Sequence, residues 1–79
     1  MFTNKELRSA KRAIDKTAIL SGETPKQFRL ELLRAMHESQ NSQDPLVQAE
    51  WASFEYAGDQ PTPEEFVAWC TRKVIAMEV

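Results

Sequence analysis

Apolar residues in this chain recur at spacings of three and four, and nowhere alternate with the period of two expected of a half-buried strand. Leu7, Ala10, Ile14, Thr17 and Ala18 fall on one stripe, which predicts an amphipathic helix from about Asn4 to Leu20. Thr3 stands at its cap position with Glu6 three residues on, the spacing of a capping box. Ser21-Gly22-Glu23 ends it, because Gly22 can take the positive φ that stops a helix abruptly. Thr24 and Pro25 then open a second helix to about Glu38, with Gln27 placed to complete a second capping box. Phe28, Leu32, Ala35 and Met36 form its main apolar face. Leu30 and Leu33 point to the other side, roughly 140 to 180 degrees from Phe28. A helix apolar on two faces is either central in its domain or presents a patch to a partner.

Ser39 to Gln43 is a polar loop, too short for a domain linker. Asp44-Pro45 starts a third helix, expected to run to about Phe54 with Leu46, Val47, Trp51 and Phe54 as its apolar residues. Two large aromatics on so short a helix suggest a lid docked on the first two. Tyr56 to Pro61 is irregular, broken by Gly58 and Pro61. Thr62-Pro63-Glu64-Glu65 is the strongest local signal in the chain: a cap, a proline, and two carboxylates at the positive end of the helix dipole. The fourth helix is expected from Pro63 to about Met77, with Phe66, Val67, Cys70, Val74 and Met77 facing inward and Trp69 partly exposed. The expected fold is all-α: one domain over residues 1–79, a helix-turn-helix core followed by two further helices.

Composition narrows the class. The chain is 42% hydrophobic and 28% charged with a net charge of −2, the profile of a globular domain and not of a disordered one. The charge is unevenly spread. Residues 1–38 hold eight Lys or Arg against five Asp or Glu, +3, and residues 39–79 hold two against seven, −5. A basic helix-turn-helix half suits a polyanion, though DNA-binding domains are usually more basic overall. The single Cys70 excludes an intrachain disulfide and a multi-cysteine metal site. No apolar run approaches a membrane span, and the N-terminus leads into a charged helix without a signal-peptide segment, so a cytoplasmic protein is expected.

With these residues in place, Ile14 to Met77 resembles the DNA-binding effector domain of the sporulation response regulator, stage zero sporulation protein A. The matching features are Ile14-Asp15-Lys16 before the turn, Thr24 opening the second helix, the Phe28/Leu32/Ala35/Met36 stripe, and Pro61-Thr62-Pro63-Glu64-Glu65-Phe66-Val67-Ala68. The likeness covers about four fifths of the chain and is nearest to small stand-alone relatives that keep only the later part of that domain. It implies the helix-turn-helix core with two further helices and a DNA-binding role in transcription regulation. The family's earlier helices and receiver domain do not fit in the 13 residues ahead of the match, so phosphorelay control is not implied. Its base- and phosphate-contacting positions fall here on Lys26, Gln27, Arg29 and Leu30. Leu30 and, a turn later, Leu33 can neither hydrogen-bond a base edge nor neutralise a phosphate.

The candidate DNA-binding set is therefore Lys26, Gln27 and Arg29 for the groove, with Arg8, Lys11, Arg12 and Lys16 of the first helix on the backbone. The plain alternative is a solvated polar surface. Leu30 and Leu33 are a candidate interface for a partner or a homodimer, unless the third or fourth helix covers them. His37-Glu38 has no second ligand nearby and reads as a solvated helix end. Asp15, Glu31, Glu64 and Glu65 form no carboxylate pair, the last two being accounted for by capping. Cys70 reads as a small buried hydrophobe, and Trp51, Phe54, Phe66 and Trp69 as core before stacking platforms. No catalytic constellation, metal site, cofactor motif or small-molecule ligand is expected, and the chain is not read as an enzyme.

Overall fold

Four short sequence signals start the helices. The structure, a computed structural model, describes residues 1–78. It contains α1 (Asn4–Leu20), α2 (Pro25–Gln40), α3 (Pro45–Ala52) and α4 (Pro63–Glu78), and none of the described residues is in a strand. The Glu6 amide donates to Thr3 Oγ1 at 3.2 Å while the Glu6 carboxylate accepts from the Thr3 amide at 3.0 Å, a complete capping box. Thr24 Oγ1 accepts from the Gln27 amide at 3.1 Å, but the Gln27 side chain does not return the bond. Asp44 caps α3 through the Leu46 amide at 2.9 Å. Each cap satisfies an amide that the first helical turn leaves without a partner.

The turn between α1 and α2 is closed from both sides. Gly22 has φ +75, its amide donates to Ile19 O at 3.1 Å, and the Glu23 amide donates to Ala18 O at 2.9 Å. These paired bonds are the Schellman arrangement, which satisfies the last carbonyls of α1 and turns the chain within four residues. Two expected boundaries shift. α2 continues past Glu38 to Gln40. α3 stops at Ala52, short of Phe54, where Ser53 Oγ donates to Glu50 O at 2.8 Å and competes with helix continuation.

The core follows one row of α1. Ala10, Ile14 and Ala18, four residues apart, are all buried, and Ala18 is fully enclosed. α1 packs against α2 and most extensively against α4. Met36 from α2, Phe54 after α3 and Ala68 from α4 complete the buried apolar set. Thr17 and Ala35, expected on the inner stripes, are exposed because each lies at the edge of its arc. α3 is not a lid over α1 and α2. It lies against α2, and its Trp51 ring stacks on Phe66 and Trp69 of α4 at centroid separations of 5.6 and 6.1 Å. The Trp51 indole N–H donates to Ser39 Oγ at 2.8 Å, giving the ring a polar partner at the end of α2.

The far end of α4 departs most from expectation. Val74 and Met77 are exposed to 54% and 84%, not turned inward. α1 and α4 run antiparallel, with Arg72 on Glu6 and Glu64 beside Lys11. The start of α1 therefore lies opposite Arg72, and the turn of α4 beyond it has no helix to pack on. The accessible surface of 6020 Å² exceeds the roughly 4,900 Å² typical of a folded monomer of this mass. Substituting Gly22 tests the turn. An added Cβ meets nothing within 4 Å, so Gly22→Ala is expected to cost only backbone strain, about 1–2 kcal/mol by urea denaturation, and Gly22→Asn less.

Candidate nucleic-acid interface

The leading turn of α2 stands free. Thr24, Pro25, Lys26 and Gln27 are all exposed, and so are Arg8, Lys11, Arg12 and Lys16 on α1. Among the described residues, none of these five Lys or Arg side chains of α1 and α2 is within ion-pair distance of a carboxylate. Lys11 and Lys26 come together at one hollow, where α1, α2 and the start of α4 meet. Six of the seven candidate DNA-contacting residues are therefore accessible.

Arg29 is the exception. Its guanidinium forms a two-pronged ion pair with Glu64 of α4, Nη2 donating to Oε2 at 3.1 Å and Nη1 to Oε1. The pair is half-buried, and it raises the Arg29 pKa through the Glu64 hydrogen bond. Burial pushes the Glu64 carboxyl up, but the bonds from Arg29 and the backbone outweigh it and hold the carboxyl below its ordinary value. A guanidinium held by both prongs has no fork left for a guanine edge. Glu64 stands in the first turn of α4 as its position suggested, and it has a second role. It fixes α2 to α4. The two residues are 35 positions apart, beyond the reach of any local spacing rule.

Glu65 keeps the capping role and adds another. Among the described residues it is the one buried charged residue, 7% exposed. Oε1 accepts from the Thr62 amide at 2.9 Å, the Glu65 amide donates to Thr62 Oγ1 at 3.1 Å, and Oε2 accepts from the Ala57 amide at 3.0 Å. The carboxylate therefore ties the 55–62 loop to α4. Burial opposes its charge, yet the Thr62 and Ala57 amides win and lower its pKa. On the exposed opposite edge of the fold, Arg72 holds Glu6 down to about 2.

Leu30 and Leu33 are 59% and 40% exposed. Neither is fully covered: both line a hollow with Glu64 of α4, and Leu33 a second with Met36 and Pro61. The face is not uniformly cationic around the helix. The neighbouring Glu31 carboxylate beside the leading turn, with desolvation, raises the Glu23 pKa. This edge repels phosphate. Phe66 and Trp69 are half-buried, as is Cys70, whose thiol burial pushes up. Trp51 and Phe54 complete an aromatic cluster: their rings stack, while Trp69 meets Phe54 and Phe66 at tilted angles. Among the described residues, no group of three or more His, Cys, Asp or Glu is placed to hold a metal ion, and no helix is long and apolar enough to cross a membrane.

The pH dependence of stability follows from Glu64 and Glu65. Both have folded pKa values below the ordinary 4.5, so their contribution is present above that value and is lost as pH falls through the folded value. Glu65→Gln is expected to lower stability at neutral pH by about 1–2 kcal/mol and to flatten the further loss seen on acidification to about pH 3. Urea melts across that range check both. The chain matches no protein-family model, and no curated protein or solved structure is significantly similar to it.

Proposed function

We propose that the chain is a small, non-enzymatic helix-turn-helix module that binds DNA and regulates transcription in the cytoplasm. The observation that carries this reading is the free leading turn of α2 with its Lys26, beside the unpaired cations Arg8, Lys11, Arg12 and Lys16 of α1. The four-residue turn at Gly22 sets these elements side by side. The resemblance to the sporulation effector domain supports the same reading. Binding in this form is mainly electrostatic: lysines and arginines neutralise phosphates and release counterions. Base reading is thin, since Arg29 is held by Glu64 and Leu30 has no polar group, which leaves Gln27 for an adenine edge.

A second reading rests on Leu30 and Leu33. Two exposed leucines one turn apart on α2, Leu33 flanking the buried Met36 and Leu30 further round, favour a protein-interaction module that keeps the fold and uses this strip as its interface. Fluorescence anisotropy with a labelled duplex at low salt tests the DNA reading. Binding in the micromolar range is expected, with a salt slope that falls by about 2 in Lys11→Ala plus Lys26→Ala. Arg29→Ala is expected to change affinity little at matched fold stability. A chain that binds no duplex at low salt, or whose Lys11/Lys26 variant binds unchanged, rules the reading out.

A further inference from the structure

We infer that the outer face of α2 docks an acidic amphipathic helix, and that this partner and DNA exclude each other because both need Lys26. The inference rests on the second reading above and gives the partner its chemistry. At 100 degrees per residue, Lys26, Leu30, Leu33 and His37 fall within an arc of about 60 degrees, with Arg34 beside them. All five are exposed. The strip lies opposite the half-buried Phe28 and about a quarter-turn from the buried Met36, which holds the helix while the strip stays exposed. One hollow beside it is lined by Lys11, Lys26, Leu30 and Leu33, and a second by Leu33, Arg34, His37 and Pro61. They meet at Leu33 and form one track along α2. Its 16 residues span roughly 24 Å, the length of a partner helix of the same size.

Charge selects the occupant. Lys11, Lys26 and Arg34 rim the leucines, and among the described residues none has a carboxylate partner. Glu64 is neutralised by Arg29, which leaves Asp15 as the acid in the hollow. Leucines framed by cations complement a helix with apolar anchors one turn apart and carboxylates on its flanks. A second copy fits poorly. A two-fold contact through this strip sets the cations of one copy, Lys26, Arg34 and Lys11, on the equally cationic strip of the other. The acidic half of another copy has few free carboxylates to offer. Glu50 is paired with Lys73, Glu64 with Arg29, and Glu65 with two loop amides.

The probe is a labelled synthetic peptide of about 16 residues with leucines at i, i+3 and i+7 and glutamates flanking them, titrated by anisotropy into the full chain. It is expected to bind, and to bind about tenfold more weakly when its leucines become serine or its glutamates become lysine. Leu30→Ser plus Leu33→Ser, and separately Lys26→Glu plus Arg34→Glu, are each expected to weaken it about tenfold with helix content unchanged. Unlabelled duplex is expected to displace it. Absence of binding, equal binding of the lysine peptide, or binding indifferent to both variant pairs overturns the inference. If sedimentation shows a dimer that the leucine variants dissociate, the occupant is a second copy: this inference fails while the interaction reading stands. A monomer for which the leucine variants alter neither peptide binding nor self-association removes both.

Discussion

The row Ala10, Ile14 and Ala18 is the constraint on which the other contacts depend. Two alanines flank one large side chain, and all three are buried. Small residues let neighbouring backbones approach, so α2 meets α1 near Ala18 and α4 meets it near Ala10 and Ala68. Ile14 fills the space between these approaches and, among the described residues, is the largest side chain that is almost completely enclosed. A core this thin tolerates little change of volume, since added methylenes at a close approach force backbone shifts costing about 1–3 kcal/mol. Placement of the leading turn of α2 is inherited from this row, and the row does not touch that turn.

The Arg29–Glu64 pair takes a guanidinium from the surface of α2 to join two helices. Its two prongs join α2 to α4 where few apolar contacts do so. The same bonds engage the guanidinium, so it is not free on the helix surface. What remains on the outer face is Lys26, Gln27, Leu30, Leu33, Arg34 and His37, a mixed cationic and apolar surface. Glu23 and Glu31 confine the cationic strip to one side of α2. The resulting surface is directional: positive along Lys11, Lys26 and Arg34, negative along the edge beside it.

Much of the fold was legible in the sequence because its signals are local. Thr3-Glu6, Thr24-Pro25, Asp44-Pro45 and Thr62-Glu65 each set a helix start through groups three residues apart or fewer, and each appears as expected. Gly22 reads directly as the stop of α1. What could not be read depends on how elements slide along one another. Val74 and Met77 have helical spacing with Phe66 and Cys70, but the antiparallel register places the start of α1 opposite Arg72 and leaves them without a neighbour. Glu64 has the sequence signature of a dipole charge, and only the approach of α2 reveals its partner. For the candidate interface, spacing placed Lys26, Gln27 and the α1 cations on the surface. It could not say that Arg29 was engaged, nor that Leu30 and Leu33 were uncovered.

The aromatic cluster has an optical consequence. Trp51 and Trp69 stand 6.1 Å apart at their centroids, with Phe54 and Phe66 between and around them. They are the two tryptophans of the chain, so intrinsic emission reports on the join between α3 and α4 and is blind to the α1–α2 turn. Far-ultraviolet dichroism, by contrast, weights every helix by its length. Melting curves from the two signals coincide only when the basic half and the aromatic half come apart in one step, and their separation measures how strongly the alanine row couples them.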